Sequence, residues 1–244
     1  MSEAQKLLIW RLSMAVLMAA GIWSVRDAGW DVVWRSGPFL LRGIGATLLL
    51  TVISVSIGLA GGVVLAILRL FAPPGLRHLA IGYIEVLRAI PQLMVIFWVF
   101  YTWPAITGSS VPGWWAAVIS LSMIAAAYLA EVVRAGILSV PKTQWESGYV
   151  TGLSALQNMT RIILPQAGRN MLPALISHFI MMLKTTSLVY VVGIIDFFRA
   201  IIIVNNRDFA PAALYLTMAA GYFVGCYALS WLVRRIEPRY ALTT

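Results

Sequence analysis

The sequence predicts an all-α fold that crosses a membrane several times, and its composition and apolar runs carry this prediction. Of the 244 residues, 61% are hydrophobic and only 11% are charged, whereas a soluble domain is nearer half apolar and a quarter charged. The mean hydropathy is +0.87. Several apolar runs are each about 20 residues long, the length that a helix needs to cross a bilayer. A soluble protein is therefore disfavoured, because its water-facing surface would lack charge.

Six apolar helices are predicted along the chain. The first covers about residues 7–25 and is interpreted as an uncleaved anchor, because its length, Arg11 and Trp23 do not suit a cleaved signal peptide. The other five are predicted at about residues 43–68, 81–101, 114–136, 171–195 and 212–233. Within the second helix, three glycines allow a neighbouring helix to approach closely: Gly58, Gly61 and Gly62.

The chain is expected to divide near residue 38. Gly37-Pro38 predicts a break there, because proline removes a backbone donor and disturbs a helix. Residues 1–38 would then hold the N-terminal anchor helix and a periplasmic connection. Residues 39–244 would hold a transmembrane domain of five helices.

Basic residues are distributed unevenly between the two sides of these spans. One side carries ten, namely Lys6, Arg11, Arg69, Arg77, Lys142, Arg161, Arg169, Arg234, Arg235 and Arg239. The other side carries five, namely Arg26, Arg35, Arg42, Arg199 and Arg207. Since cytoplasmic loops are enriched in Lys and Arg, both termini and the connection over residues 140–170 are predicted to be cytoplasmic. The net charge of +9 is assigned to such loops, because nucleic-acid binding would need a soluble basic face.

Residues 140–166 form a polar connection in which local rules predict two short helices. Pro141 suits the first turn of a helix, and Gly152 suits the left-handed residue that ends one. Ser154 can cap the second helix, and Pro165 is predicted to stop it or kink its junction with the next span. By shape alone, an ordinary amphipathic cytoplasmic hairpin explains this segment equally well.

Five residues of this connection have the spacing of the motif E-A-A-x3-G-x9-I-x-L-P: Glu146, Gly152, Ile162, Leu164 and Pro165. The motif, called the EAA motif, resembles the ATPase-docking loop of binding-protein-dependent ABC importer permeases. Ser147-Gly148 replaces the two alanines, which weakens the first helix, because glycine costs roughly 1 kcal/mol relative to alanine there. The resemblance implies that residues 140–166 are a cytoplasmic loop that docks a separate ATPase.

The resemblance also implies a role for each docking residue. Glu146 would offer a negative charge to basic residues of the ATPase, and Gly152 would allow the close turn. Apolar side chains would fill a groove on the partner, as anchors do in a buried contact. The residues expected at this contact are Trp145, Glu146, Tyr149, Gly152, Leu153, Leu164 and Pro165.

Further segments are similar to the permeases of polar-amino-acid importers, so that the resemblance covers about residues 40–238. They lie at residues 84–91, 130–137 and 183–188. Ala135 and Thr185 depart from the Gly and the Asp or Asn that are common at these positions. Residues 187–191, followed by 196–199, resemble the glutamate/aspartate branch. The implied fold is that of a type I ABC importer permease, with five core helices plus one N-terminal helix.

The resemblance implies an assembly whose other parts are separate chains. Two ABC ATPase subunits would bind ATP and Mg, and this chain would hold no cofactor. A second permease subunit, expected to be a paralogue rather than an identical copy, would share the transport path. A periplasmic or lipid-anchored binding protein would deliver the amino acid, membrane lipids would surround the spans, and no nucleic acid is expected. The implied function is the import of polar amino acids, glutamate or aspartate, across the bacterial inner membrane by alternating access.

Charged and hydroxyl residues in or near the spans have two interpretations. Lys184 could line a polar path, or it could form a structural ion pair or hydrogen bond with a neighbouring helix. The hydroxyl residues that follow it could line the path or join helices. Glu85 with Arg88, and Glu131 with Arg134, could be local salt bridges or an intracellular gate. The residues assigned to the path or gate are Glu85, Arg88, Glu131, Arg134, Lys184, Thr185, Thr186 and Ser187.

The sequence lacks the motifs of an enzyme. It contains no G-x-x-x-x-G-K-[ST] segment, so the chain has no P-loop with which to hydrolyse ATP. It also contains no Ser/His/Asp constellation and no metal-binding cluster. Two rival functions are considered: an ion-driven secondary transporter, which would be expected to show an inverted repeat, and a non-transport scaffold, which would have no use for a docking motif.

Overall fold

The computed structural model describes residue 10, residue 26 and residues 28–236. Regular structure in this part of the chain is entirely helical, which confirms the predicted all-α class. The helices are α1 (Trp30–Phe71), α2 (Pro74–Ala89), α3 (Gln92–Thr107), α4 (Gly113–Leu138), α5 (Lys142–Val150), α6 (Ala155–Val192), α7 (Phe197–Asp208) and α8 (Pro211–Ile236). Apart from Trp10, the predicted anchor at residues 7–25 lies outside the described residues, as do Lys6, Arg11 and Arg239.

Five predicted spans have counterparts in these helices. Four helices are long and apolar enough to cross a membrane: α1, α4, α6 and α8. The pair α2 and α3 can supply a fifth span, but it is bent by 111°. The span predicted at 81–101 therefore corresponds to two helices that meet at a bend and not to one continuous helix. Ile90 takes an extended conformation before Pro91, because a residue that precedes proline is pushed out of the helical region.

The predicted break at Gly37-Pro38 is also wrong, because α1 runs through both residues. Proline leaves the carbonyl four residues earlier without its helical donor, and here that residue, Trp34, is highly exposed. One face of this part of α1 is meanwhile buried against α7 and the start of α8, including Val32 and Leu40. The packing of that face compensates for the lost hydrogen bond and keeps the helix continuous.

The centre of the molecule is the contact between α1 and α4. The notional Cβ of Gly58 would collide with Ala125 on α4, and that of Gly62 would lie 3.0 Å from the backbone nitrogen of Ala130. Close approach at these glycines is therefore confirmed. The largest apolar cluster surrounds this contact and includes Leu121, Ile124 and Met182.

Helix α7 is attached to α1 by polar contacts at its first residues. Asp196 caps α7, since its carboxylate accepts hydrogen bonds from the N–H groups of Phe198 and Arg199 at 3.2 and 3.0 Å. The N–H of Phe197 donates to Thr47 Oγ1 at 3.1 Å. Asp196 lies between the spans of α6 and α8, and its burial raises its pKa to about 6 in spite of the two backbone donors.

Candidate functional site

The connection between α4 and α6 has the two-helix shape that the sequence predicts. Helix α5 begins directly after Pro141 and is followed by Gly152, which has φ +78°. The N–H of Gly152 donates to the carbonyl of Tyr149 at 3.0 Å, and the N–H of Leu153 donates to that of Gly148 at 3.1 Å. This pair of bonds is the Schellman arrangement, which needs a left-handed residue at the position of Gly152.

Ser154 starts the second helix, as predicted. Its Oγ accepts a hydrogen bond from the N–H of Gln157 at 3.3 Å, and its own N–H donates to Gln157 Oε1 at 2.9 Å. This reciprocal capping box satisfies two donors that a helix start otherwise leaves unpaired. The signal for this capping box in the sequence is the spacing Ser-x-x-Gln, whereas the prediction covered only the cap at Ser154.

Pro165 does not stop the second helix, so this part of the prediction is wrong. Helix α6 continues from residue 155 to residue 192, with a π-helical turn at Met159–Ile163 directly before the α-helical stretch that holds Pro165 in its first turn. Proline has no backbone N–H to donate. The wider π-helical turn before it accommodates this missing hydrogen bond without ending the helix. The second helix of the loop and the next membrane span are consequently one continuous helix.

The packing of α5 on α6 explains why Gly148 replaces alanine. The notional Cβ of Gly148 would overlap the side-chain amide of Asn158. Asn158 is completely buried, and its Nδ2 donates to the carbonyl of Trp145 at 2.8 Å. Asn158 Oδ1 has no hydrogen-bond partner among the described residues. Gly148 and Asn158 thus form one contact that ties α5 to α6.

The predicted docking residues divide into two groups by exposure. Trp145 packs against the chain's own apolar cluster, with Ile137 and Ile163, rather than turning outward as a groove-filling anchor. Most of the others are exposed, and Leu153 is half-buried. Val150 and Leu156, which the motif does not contain, are 87% and 74% exposed. Their exposure on the loop could have been suspected, since each interrupts a polar stretch with an aliphatic side chain.

The side chain of Glu146 is exposed, and its carboxylate has no hydrogen-bond or ion partner among residues 28–236. Tyr149, Val150 and Leu156 lie near it in sequence and are also exposed. The loop therefore presents a carboxylate together with uncovered apolar side chains. Such a surface can bind a partner through a charge contact surrounded by apolar anchors.

The predicted ion pairs form a network that joins three helices. Glu131 on α4 contacts Arg134 at 2.9 Å, as its local spacing predicts, and also contacts Arg69 on α1 and Arg88 on α2, the latter at 3.9 Å. Glu85 lies 3.8 Å from Arg69. The predicted local pair of Glu85 and Arg88 is therefore replaced by contacts to other helices, because α2 crosses the ends of α1 and α4.

The polar residues inside the fifth predicted span differ in their surroundings. Lys184 is exposed, and its side chain has no partner in the part of the chain that the structure describes. Thr185 is buried and donates to Gln92 Oε1 at 3.1 Å, which joins α6 to α3. Thr186 is buried and donates to the carbonyl of Leu183, and half-buried Ser187 donates to that of Lys184, both at 2.7 Å. Of these hydroxyl groups, only that of Thr185 joins two helices, whereas those of Thr186 and Ser187 bond the backbone of their own helix.

The comparison with protein families decides what kind of protein this fold and loop belong to. The family described as "Binding-protein-dependent transport system inner membrane component" matches residues 58–242. The chain belongs to this family. It is thus a multi-pass inner-membrane permease component of a transport system, with a transport role rather than an enzymatic one.

Known permeases resemble this one over most of their length. The glutamate/aspartate import permease protein GltK of Escherichia coli O6:H1 is 36% identical over 219 residues, which cover 87% of this chain and 98% of the relative. The L-cystine transport system permease protein TcyB of Bacillus subtilis is 35% identical over 212 residues, which cover 86% and 90%. The resemblance to permeases of amino-acid ABC importers is thereby confirmed.

Solved structures agree with the family. A chain from the crystal structure of an amino acid ABC transporter with histidines superposes with a TM-score of 0.80 at 32% identity, covering 85% of this permease and 96% of that chain. The inward-facing MetNI methionine ABC transporter gives a TM-score of 0.72 at 22% identity, covering 85% and 99%, and supports the fold alone. The type I ABC importer permease fold is confirmed.

Proposed function

We propose that this chain is the permease subunit of an ABC importer that moves polar amino acids, glutamate or aspartate, into the cytoplasm. Residues 39–244 form its transport domain and residues 1–38 its anchor and periplasmic connection, with α1 running across this boundary without a break. Both termini and the loop at 140–166 face the cytoplasm. The loop docks a separate ATPase, which binds the ATP and Mg. Two ATPases, a second permease and an external amino-acid-binding protein complete the assembly.

The observation that carries the coupling role is the rigid connection from the loop into the membrane. Helix α5 is tied to Asn158, and the helix that contains Asn158 continues through Pro165 to Lys184. A displacement of α5 by a moving ATPase is therefore transmitted along α6. An importer that alternates between inward and outward states needs this kind of mechanical link.

The substrate assignment is supported by the relatives and by one charge. GltK is named for glutamate and aspartate, although TcyB, named for L-cystine, is almost equally similar. Lys184 is exposed within the span formed by α6, and its side chain has no partner in the described chain. In an assembly with a second permease, an ammonium group at this place attracts the carboxylate groups of an acidic amino acid.

Co-purification tests the docking role. We expect a P-loop ATPase to co-purify with the wild-type chain and to be lost in Glu146→Arg and in Gly152→Pro. Proline cannot take the positive φ of Gly152. Gly152→Asn, which tolerates that conformation, and Arg42→Glu at the opposite end of α1 serve as matched controls that retain the ATPase. Equal recovery of ATPase with all four variants would overturn the assignment of the loop.

Uptake by cells or proteoliposomes tests the substrate. We expect unlabelled glutamate and aspartate to inhibit the uptake of labelled glutamate, with weaker inhibition by glutamine, cystine and arginine. Inhibition by arginine but not by acidic amino acids would contradict the acidic branch while leaving the docking result intact. The two experiments therefore fail independently.

A further inference from the structure

A basic cavity opens at the end of the bundle that carries the loop. It lies where α1 ends, α2 begins and α4 ends, and its volume is about 680 Å³. Its polar wall contains Arg69, Arg77, His78 and Arg134. Only the first and last of these belong to the ion network around Glu131.

The charges around this cavity are not balanced by the described chain. Arg69, Arg88 and Arg134 share the single carboxylate of Glu131, and Glu85 contacts only Arg69. Arg77 is exposed, and its side chain has no hydrogen-bond or ion partner among the described residues. Four guanidinium groups against two carboxylates leave two positive charges in excess.

The cavity also has an apolar wall. Leu70, Ile81 and Leu138 line it. Next to it, Leu76 and Leu79 on α2 are exposed, the latter by 72%. The cavity therefore offers both guanidinium groups and apolar side chains along which hydrocarbon can extend.

We propose that this cavity binds the phosphate group of an anionic phospholipid. Guanidinium groups match phosphate oxygens in charge and in fork geometry, and basic pockets between membrane helices on the cytoplasmic side suit lipid head groups. Arg77 supplies the charge that no internal carboxylate neutralises, and acyl chains extend along Leu79 and Leu138. A free phosphate ion shares the charged part of this chemistry but makes no use of the apolar wall.

Native mass spectrometry of the purified full chain tests the lipid. The chain is taken from nanodiscs of phosphatidylglycerol or of phosphatidylcholine, and retained lipids are counted. We expect selective retention of phosphatidylglycerol, reduced about fivefold by Arg77→Gln and less by Arg77→Lys. Arg161→Gln removes an exposed arginine of the same end outside the cavity and should leave retention unchanged. Equal retention of both lipids, or an equal loss in Arg161→Gln, would overturn the proposal.

Soluble phosphate is tested separately. Inorganic phosphate is added to the chain in phosphatidylcholine nanodiscs, with sodium chloride at the same ionic strength as the reference, and the unfolding temperature is measured. A bound anion stabilises the folded state. A rise that Arg77→Gln abolishes, without lipid selectivity, would support a phosphate site and contradict its lipid source. No rise together with selective lipid retention supports the lipid, and the absence of both effects overturns the site.

Discussion

Asn158 and Gly148 determine how closely α5 approaches α6, and their contact is the most specific one in the loop. Gly148→Ala gains about 1 kcal/mol of helix propensity, but its methyl group would overlap the buried amide of Asn158. Overpacking of this kind costs about 1–3 kcal/mol. We therefore expect Gly148→Ala to lower the unfolding temperature and the amount of substrate imported per ATP hydrolysed.

The double variant Gly148→Ala/Asn158→Ala separates this contact from a general effect of either residue. Removing the amide makes room for the methyl group, so the two substitutions should be non-additive by at least about 0.5 kcal/mol. The double variant should then be more stable than the sum of the single variants predicts. Additive losses in thermal unfolding would show that the two side chains do not compete for the same space.

Glu131 and Glu85 lie in one network but differ in burial, and their variants should differ accordingly. The side chain of Glu131 is 19% exposed and contacts three arginines, whereas that of Glu85 is 58% exposed and contacts one. Glu131→Gln leaves clustered guanidinium groups without their counter-charge, at a cost of about 3 kcal/mol. Glu85→Gln should cost less than about 1 kcal/mol. Denaturation of the purified chain measures both, and equal losses would contradict the network.

At the scale of elements, the contact of α1 with α4 depends on the glycines at their crossing. Gly58→Val places a branched side chain against Ala125 and should cost about 3 kcal/mol, with loss of folded protein in the membrane. Gly45→Val is the matched control, because it lies on the same helix with nothing within 4 Å of its notional Cβ. Comparable yields of folded protein for both variants would contradict the observed packing.

The cap of α7 makes stability depend on pH. The pKa of Asp196 is raised to about 6 by burial, whereas an ordinary aspartate titrates near about 4. Between these values the folded state keeps a proton that the unfolded state loses, so the contribution of Asp196 to stability falls as pH rises from about 4 to about 6 and is constant above. Asp196→Asn, which keeps a capping oxygen, should remove this part of the slope. Unfolding temperatures measured across that pH range test it, and identical slopes would refute it.

At the scale of the whole molecule, the features that depend on nearby residues could be predicted from the sequence. Gly152 and Ser154 act through backbone groups within a few positions, and both were predicted correctly. The close helix approach at Gly58 was also predicted, because a glycine inside an apolar span allows a neighbouring helix to come near. Five spans follow from length and hydropathy alone.

The features that depend on distant contacts could not be predicted. Pro38 and Pro165 were expected to interrupt helices, but packing against α7 and a π-helical turn keep both helices continuous. Glu85 was expected to pair with Arg88 on its own helix, but it contacts Arg69 on α1 instead. Arg69 also contacts Glu131, which lies more than 60 residues away in sequence. Trp145 was expected to be a surface anchor, but it packs against an apolar cluster formed by the chain's own residues. Except at Pro165, where the deciding turn lies on the same helix, the deciding neighbour lies on another element.

We propose the loop between α4 and α6 as the surface on which the ATPase docks. A photo-crosslinking amino acid at Val150, which is 87% exposed on the loop, tests it in cells that contain the complete transporter. The same probe at Trp34, exposed near the opposite end of α1, is the control. We predict a crosslinked product with a P-loop ATPase from position 150 and none from position 34. Equal ATPase adducts at both positions, or none at 150 while transport persists, would contradict the account.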